Sequence, residues 1–128
     1  MKSEFLATKE APQAVGAYSQ GVKTGAGEMI FMSGQLPIDM ESGEMVTGDI
    51  GKETTICLKG LIAVLKAGGG VKEDIVKVTI YVTDIKDFTL INEAYAEFFG
   101  DHKPARVLVE VSRLPKDADI EIEAIAVI

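Results

Sequence analysis

The strongest constraint on what this chain can fold into lies in its last quarter. There Pro104-Ala-Arg-Val-Leu-Val-Glu-Val111 is followed by Asp119-Ile-Glu-Ile-Glu-Ala-Ile-Ala-Val-Ile128. Both runs alternate with period two and are rich in Val and Ile, the pattern of strands in a half-buried sheet. Each carries charge where a strand prefers an apolar residue: Arg106 in the first, Glu121 and Glu123 in the second. Charge at sheet depth is costly unless it is paired or faces a polar cleft. A guanidinium close to a carboxylate suits a small anionic substrate, the first holding a carboxylate and the second moving protons.

Upstream, residues 1–28 read as loop and short strand, and Met29-Ile-Phe-Met-Ser-Gly-Gln35 as a compact strand ending in a Ser-Gly turn. Pro37 to Gly48 reads as a hairpin-like connection around Asp39-Met-Glu-Ser-Gly43, with Met45-Val46 able to return as a short strand. Asp49 or Thr47 caps a helix running to about Ala67, with Ile50, Thr54, Cys57 or Leu58, Leu61, Ile62 and Leu65 on one face. Gly68-Gly-Gly70 stops it, and no Gly-Lys-Ser/Thr follows to make a phosphate loop. Ile75 to Thr83 predicts a strand with Val76, Val78, Ile80 and Val82 on one face. Asp84 or Asp87 opens a second helix to Phe99, with Phe88, Ile91, Tyr95 and Phe98 inward.

The order β-β-(β)-α-β-α-β-β predicts one α+β domain over residues 1–128, two helices on one face of a mixed sheet. The helices leave the other face uncovered. Alternation assigns to it Lys77, Thr79, Tyr81 and Thr83, together with Arg106, Leu108 and Glu110. Such a mixed face is either solvated or packed against another copy of the chain.

Composition narrows the chemistry. At 128 residues and 47% hydrophobic, the chain has enough for one core. No run approaches the roughly 18 apolar residues of a membrane helix, and the N-terminus lacks the apolar segment of a signal peptide. A cytoplasmic location and no membrane partner are therefore expected. The net charge of −7 and pI near 4.7 argue against a nucleic-acid partner. Cys57 is the only cysteine and His102 the only histidine. An internal disulfide and a cysteine metal cluster are excluded, and a serine triad lacks partners. No metal and no cofactor are expected: the available chemistry runs on carboxylates, Arg, Tyr, backbone groups and water. Cys57 is expected as inert core, and His102 as a surface loop residue.

Taken together and in order, several segments resemble the RidA/YjgF family of reactive-intermediate (2-imino acid) deaminases. They are Ala11-Pro-Gln-Ala-Val-Gly-Ala-Tyr-Ser-Gln-Gly21, Ser33-Gly-Gln-Leu-Pro37, Asp74 to Thr79, Asn92 to Phe99, Lys103-Pro-Ala-Arg106, Glu110-Val-Ser-Arg-Leu-Pro-Lys-Asp117 and Ile120 to Ala126. The resemblance implies a chorismate-mutase-like α+β fold and a homotrimer whose sheets form an inner barrel, with clefts between subunits. It implies hydrolysis of enamines and imines, such as 2-aminoacrylate and 2-aminocrotonate, to 2-keto acids and ammonia. By the same resemblance Arg106 holds the substrate carboxylate, Glu121 positions or activates water, and Tyr18, Ser33, Gly34 and Asn92 line the cleft. Leu108 stands where deaminase-type members commonly carry Cys. The resemblance gives that position a backbone N–H contact to the ligand, which Leu retains.

Plainer roles stand beside these. Arg106 could pair with Glu110 or with an interface carboxylate, and Glu121 or Glu123 with Lys77 or Arg113. Glu121 and Glu123 point to the same side, so periodicity alone does not choose between them. Three functions are compatible: an imine deaminase, a non-catalytic binder of small carboxylic acids that uses Arg106 alone, and, ranked last, a ribonuclease or translation inhibitor. In the expected trimer, Arg106 and Tyr18 of one site come from different chains.

Overall fold

Strand formation follows the alternating runs, and the register then decides which face each residue takes. The computed structural model describes residues 3–128, so Met1 and Lys2 of the predicted N-terminal loop lie outside the described residues. Four strands, β3 (Met29–Gln35), β4 (Ile75–Val82), β5 (Ala105–Glu110) and β6 (Ile120–Val127), form a sheet in the order β3-β6-β4-β5. β6 is antiparallel to both neighbours, whereas β4 and β5 are parallel. The sheet is mixed, as predicted. The N-terminal stretch contributes two strands, β1 (Ser3–Leu6) and β2 (Gly21–Thr24), paired as a separate antiparallel ribbon. Met45 forms only an isolated bridge with Ile38.

Helices α1 (Ile50–Ala67) and α2 (Phe88–Phe99) supply the residues that cover one face of the sheet. Asp49 caps α1 by accepting from the Lys52 N–H at 3.2 Å, and Glu53 returns the favour by accepting from the Asp49 N–H at 3.0 Å. Gly69, at φ +89°, turns the chain away at the far end. Leu58, Leu61 and Leu65 of α1, with Ile91, Tyr95 and Phe99 of α2, pack on Val78, Ile80, Val82, Ile120, Ile122 and Ala124. Each fully buried aliphatic side chain here contributes about 1.5–3 kcal/mol of transfer free energy.

Three details depart from periodicity. The β4–β6 register shifts between Ile75 and Lys77. Ile75 therefore takes the buried place expected for Val76, which is only half-buried. Phe88 is 50% exposed because α2 begins only there, after a single 3-10 turn, and Phe99 rather than Phe98 fills the core. His102 is buried, not a surface residue: its Nε2 lies 2.8 Å from the Ile75 carbonyl, which accepts its N–H.

The larger correction concerns β5. Arg106, Leu108 and Glu110 are in register with Val78, Ile80 and Val82, the buried residues of β4. Residues directly opposite each other on paired strands share a face. Arg106, Leu108 and Glu110 therefore lie on the helix side, not with Lys77, Thr79 and Tyr81. The uncovered face instead takes Val107 and Val109, which are 40% and 38% exposed. It also carries Glu121 and Glu123, opposite Tyr81 and Thr79.

Candidate functional site

The predicted site residues fall into two groups on opposite faces of the sheet. Arg106 leads the first. Pro104 immediately precedes β5, and its carbonyl accepts from the Ser19 N–H at 3.3 Å, while the Ser19 hydroxyl donates to the Lys103 carbonyl at 2.6 Å. These bonds lay the Gly16–Ser19 loop along the edge strand. Tyr18 is thereby held against Arg106, whose Cζ lies 5.2 Å from the Tyr18 ring centre. The ring of Tyr95, on α2, is closer still, at 4.8 Å. Tyr18 and Arg106 thus meet within one chain, contrary to the expectation that different chains supply them.

Arg106 has no carboxylate partner among the described residues, where Arg113 with Asp117 at 2.8 Å forms the ion pair. Glu110 accepts from the Ile85 N–H at 3.0 Å instead. Among the described residues, the ion pair of Arg106 with Glu110, and those of Glu121 or Glu123 with Lys77 or Arg113, are therefore not formed. Burial pulls the Arg106 guanidinium below its ordinary pKa, with Tyr95 and Tyr18 opposing. An arginine nonetheless stays charged at any working pH. A half-buried cation over two aromatic faces, without a counter-ion, is prepared for an anion from outside the chain.

Leu108 packs its side chain on the core, and its backbone lies on the sheet edge. The Val111 N–H donates to the Val82 carbonyl of β4 at 2.8 Å, whereas the Pro104 carbonyl faces outward to Ser19. Backbone groups alternate sides along a strand, so the Leu108 N–H points out from the edge, two residues from Arg106. Asn92, expected at the cleft or simply solvated, is half-buried, and its Oδ1 is closed off from solvent with no hydrogen-bond partner.

The second group surrounds Glu121. β3 bulges between Met32 and Gln35, which pair with Ala124 and Ile122, placing Ser33 and Gly34 in the distorted segment. A Cβ at Gly34 would overlap the Glu121 carboxylate. Glycine is therefore what lets that carboxylate lie against the β3 backbone. Ser33 is exposed. Tyr81 faces both glutamates: burial raises its hydroxyl pKa, and so do Glu123 and Glu121.

Within one chain these groups do not converge. Arg106 pairs with Val78 and Glu121 with Tyr81, three residues apart on β4, on strands that flank β4. With about 3.3 Å per residue and about 4.8 Å between strands, the two Cα atoms are roughly 14 Å apart, and the side chains leave from opposite faces. A cleft of about 510 Å³ between the N-terminal ribbon and its loop includes Tyr18 but neither Arg106 nor Glu121.

Two residues escaped the sequence reading as functional candidates. Tyr95 looked like ordinary core, and nothing in the pattern reveals that its hydroxyl has no partner. Glu53, one helical turn from Cys57, is 1% exposed. Burial and the facing Asp119 and Asp49 raise its pKa to about 7, against the hydrogen bond it accepts from the Asp49 N–H. Cys57 is buried core as expected, its thiol pushed up to about 12 by burial. No group of acidic, His and Cys side chains suited to a metal occurs among the described residues. No helix among them is long and apolar enough to cross a membrane.

Comparison with known proteins adds to this geometry. The sequence profile described as Endoribonuclease L-PSP matches residues 8–128. A RutC family protein of Pyrococcus horikoshii is 53% identical over 123 residues, covering 96% of each chain. The 2-iminobutanoate/2-iminopropanoate deaminase of Escherichia coli is 46% identical over 128 residues, covering 98% of each. The crystal structure of Escherichia coli TdcF with bound serine superposes with a TM-score of 0.75 at 42% identity, covering 98% of both chains.

Proposed function

The chain belongs to the Endoribonuclease L-PSP family, the RidA/YjgF proteins, and on that footing we propose that it hydrolyses small 2-imino acids and their enamine tautomers to 2-keto acids and ammonia. The observation that carries this reading is Arg106: a half-buried guanidinium over two tyrosine rings with no carboxylate partner among the described residues. The named activity of the Escherichia coli deaminase, at 46% identity over nearly the whole chain, supports it. The serine bound in the TdcF structure supports a small carboxylate-bearing ligand.

In this reading Arg106 grips the substrate carboxylate through two parallel N–H donors, and the outward Leu108 N–H adds a third. Tyr18, Asn92, Ser33 and Gly34 border the cleft. Glu121 accepts a proton from water as the oxygen attacks the imine carbon, forming a tetrahedral carbinolamine. The carboxyl then returns the proton to nitrogen, the carbon–nitrogen bond breaks as the carbinolamine hydroxyl gives its own proton to the freed Glu121 carboxylate, and keto acid and ammonia leave. The iminium is already electrophilic, so holding water and substrate together supplies much of the acceleration. The residues doing this are a guanidinium, a carboxylate and backbone groups.

The roughly 14 Å separation derived above sets a condition. Arg106 of one copy must face Glu121 of another. The uncovered sheet face offers a surface for that assembly: Met29, Phe31, Val107 and Val109 are 56%, 68%, 40% and 38% exposed there. We therefore place the reaction in a homotrimer with the sheet faces inward. The same separation favours the second reading, a binder of keto acids that uses Arg106 without Glu121. RNA cleavage has no such support, since the one histidine is committed to the Ile75 carbonyl.

The deciding experiment follows keto-acid release while a serine or threonine dehydratase generates 2-aminoacrylate or 2-aminocrotonate. Wild type should accelerate release, and Glu121→Gln should lose most of the turnover while still binding 2-ketobutanoate. Binding with no turnover in either form would establish the sensor. Equal loss in Glu123→Gln would move the base to that residue.

A further inference from the structure

Around Arg106, several buried polar atoms lack an internal partner. Among the described residues, Arg106 Nη1, Tyr95 Oη and Asn92 Oδ1 are each closed off from solvent with no hydrogen-bond partner. Tyr95 and Asn92 sit three residues apart on α2, one face of one helical turn. Arg106 faces that helix from β5, in register with buried Val78. Tyr95 is itself 0% exposed, so it does not meet ligand directly.

The ring of Tyr95 is fixed from behind. Phe99 packs on it with centroids 4.7 Å apart, and Phe98 in turn meets Phe99 edge-on at 5.4 Å. Its other neighbour is the guanidinium, at 4.8 Å. Burial raises the Tyr95 hydroxyl pKa well above its ordinary value. The phenol therefore stays neutral and leaves the Arg106 charge uncancelled for a ligand. Tyr18, by contrast, sits half-buried on the loop that Ser19 ties to the edge strand, outside the core cluster that fixes Tyr95.

We propose that Tyr95 is the positioning residue for Arg106: its ring, backed by Phe99, holds the guanidinium plane so that its outer edge faces the cleft. The inference rests on the carboxylate-binding role given to Arg106 above. Arg106 holds the carboxylate in ground and transition states alike. A misplaced guanidinium therefore weakens binding uniformly, raising KM while leaving kcat nearly unchanged. A core residue without this role, once replaced, lowers thermal stability but leaves KM alone at temperatures where the chain is folded.

The test compares Tyr95→Phe, which keeps the ring, with Tyr95→Met, which fills a similar volume without one. Steady-state kinetics on dehydratase-generated 2-aminocrotonate and calorimetric binding of 2-ketobutanoate are measured well below each variant's Tm. Tyr95→Met should raise KM and the keto-acid Kd about tenfold or more with kcat within about threefold, whereas Tyr95→Phe should stay within about twofold on both. An unchanged KM and Kd in Tyr95→Met overturns the proposal, as does an equal loss in Tyr95→Phe. Should Tyr95→Met not fold, Phe99→Leu removes the backing of the ring. It should raise Kd several-fold, and an unchanged Kd overturns the proposal. A wild type that neither turns over imine nor binds keto acid refutes the function instead. Active wild type with a normal Tyr95→Met refutes only the positioning role.

Discussion

Replacing Glu53 with Gln isolates a single buried carboxyl group. Glu53 is 1% exposed, and its Oε2 is occupied by the Asp49 N–H at 3.0 Å. Its Oε1 is closed off and lacks a donor. Asp119 faces it just before β6 and Asp49 at the cap of α1, while Asp87 lines the same cleft and Cys57 follows one turn along. Burial, reinforced by Asp119, raises its pKa from 4.5 to about 7, so that near neutrality the Oε1 proton is available to Asp119. Because the fold raises this pKa, the folded chain holds the proton more tightly than the unfolded chain does. The resulting stabilisation is complete below about pH 4.5, and it is lost as pH rises through about 7. The difference between those two pKa values corresponds to roughly 3 kcal/mol.

A glutamine amide donates to Asp119 at every pH and still accepts from the Asp49 N–H. Relative to Glu53→Gln, the wild type should therefore lose roughly 2–3 kcal/mol between about pH 5 and about pH 8.5, a Tm difference of roughly ten degrees. Thermal and urea unfolding followed by circular dichroism would show it, at one fixed protein concentration because assembly adds to apparent stability. A stability difference between the two proteins that stays constant across that pH range would refute the reasoning.

Other substitutions probe the site and the assembly. Arg106→Ala should leave the fold intact and weaken keto-acid binding by about 2–5 kcal/mol, as titration calorimetry would report. Gly34→Ala puts a Cβ into the Glu121 carboxylate, so it should remove most turnover while 2-ketobutanoate still binds. Light scattering should give about three times the 13.7 kDa chain mass. Mixed Arg106→Ala and Glu121→Gln subunits should recover part of the activity that neither has alone, and no recovery would show that one chain supplies both residues.

Much of the fold was legible in residue order. Strand and helix identities follow from local periodicity, and the Asp49 cap and the Gly68–Gly70 stop follow from local backbone chemistry. The candidate site residues were legible only as a set of types in sequence segments. Their placement was not, because the face of Arg106 depends on how β5 registers against β4, a contact between residues far apart in sequence. A one-residue difference in that register exchanges the two faces, and alternation within β5 says nothing about it. The same holds for the bulge that brings Gly34 beside Glu121 and for the burial that sets Glu53 near 7. By itself the sequence determined which elements form and which charges they carry. The tertiary structure alone decided that Arg106 lies over Tyr95 and Tyr18 on one face while Glu121 leaves from the other, because facing and desolvation are properties of packed strands rather than of any one of them.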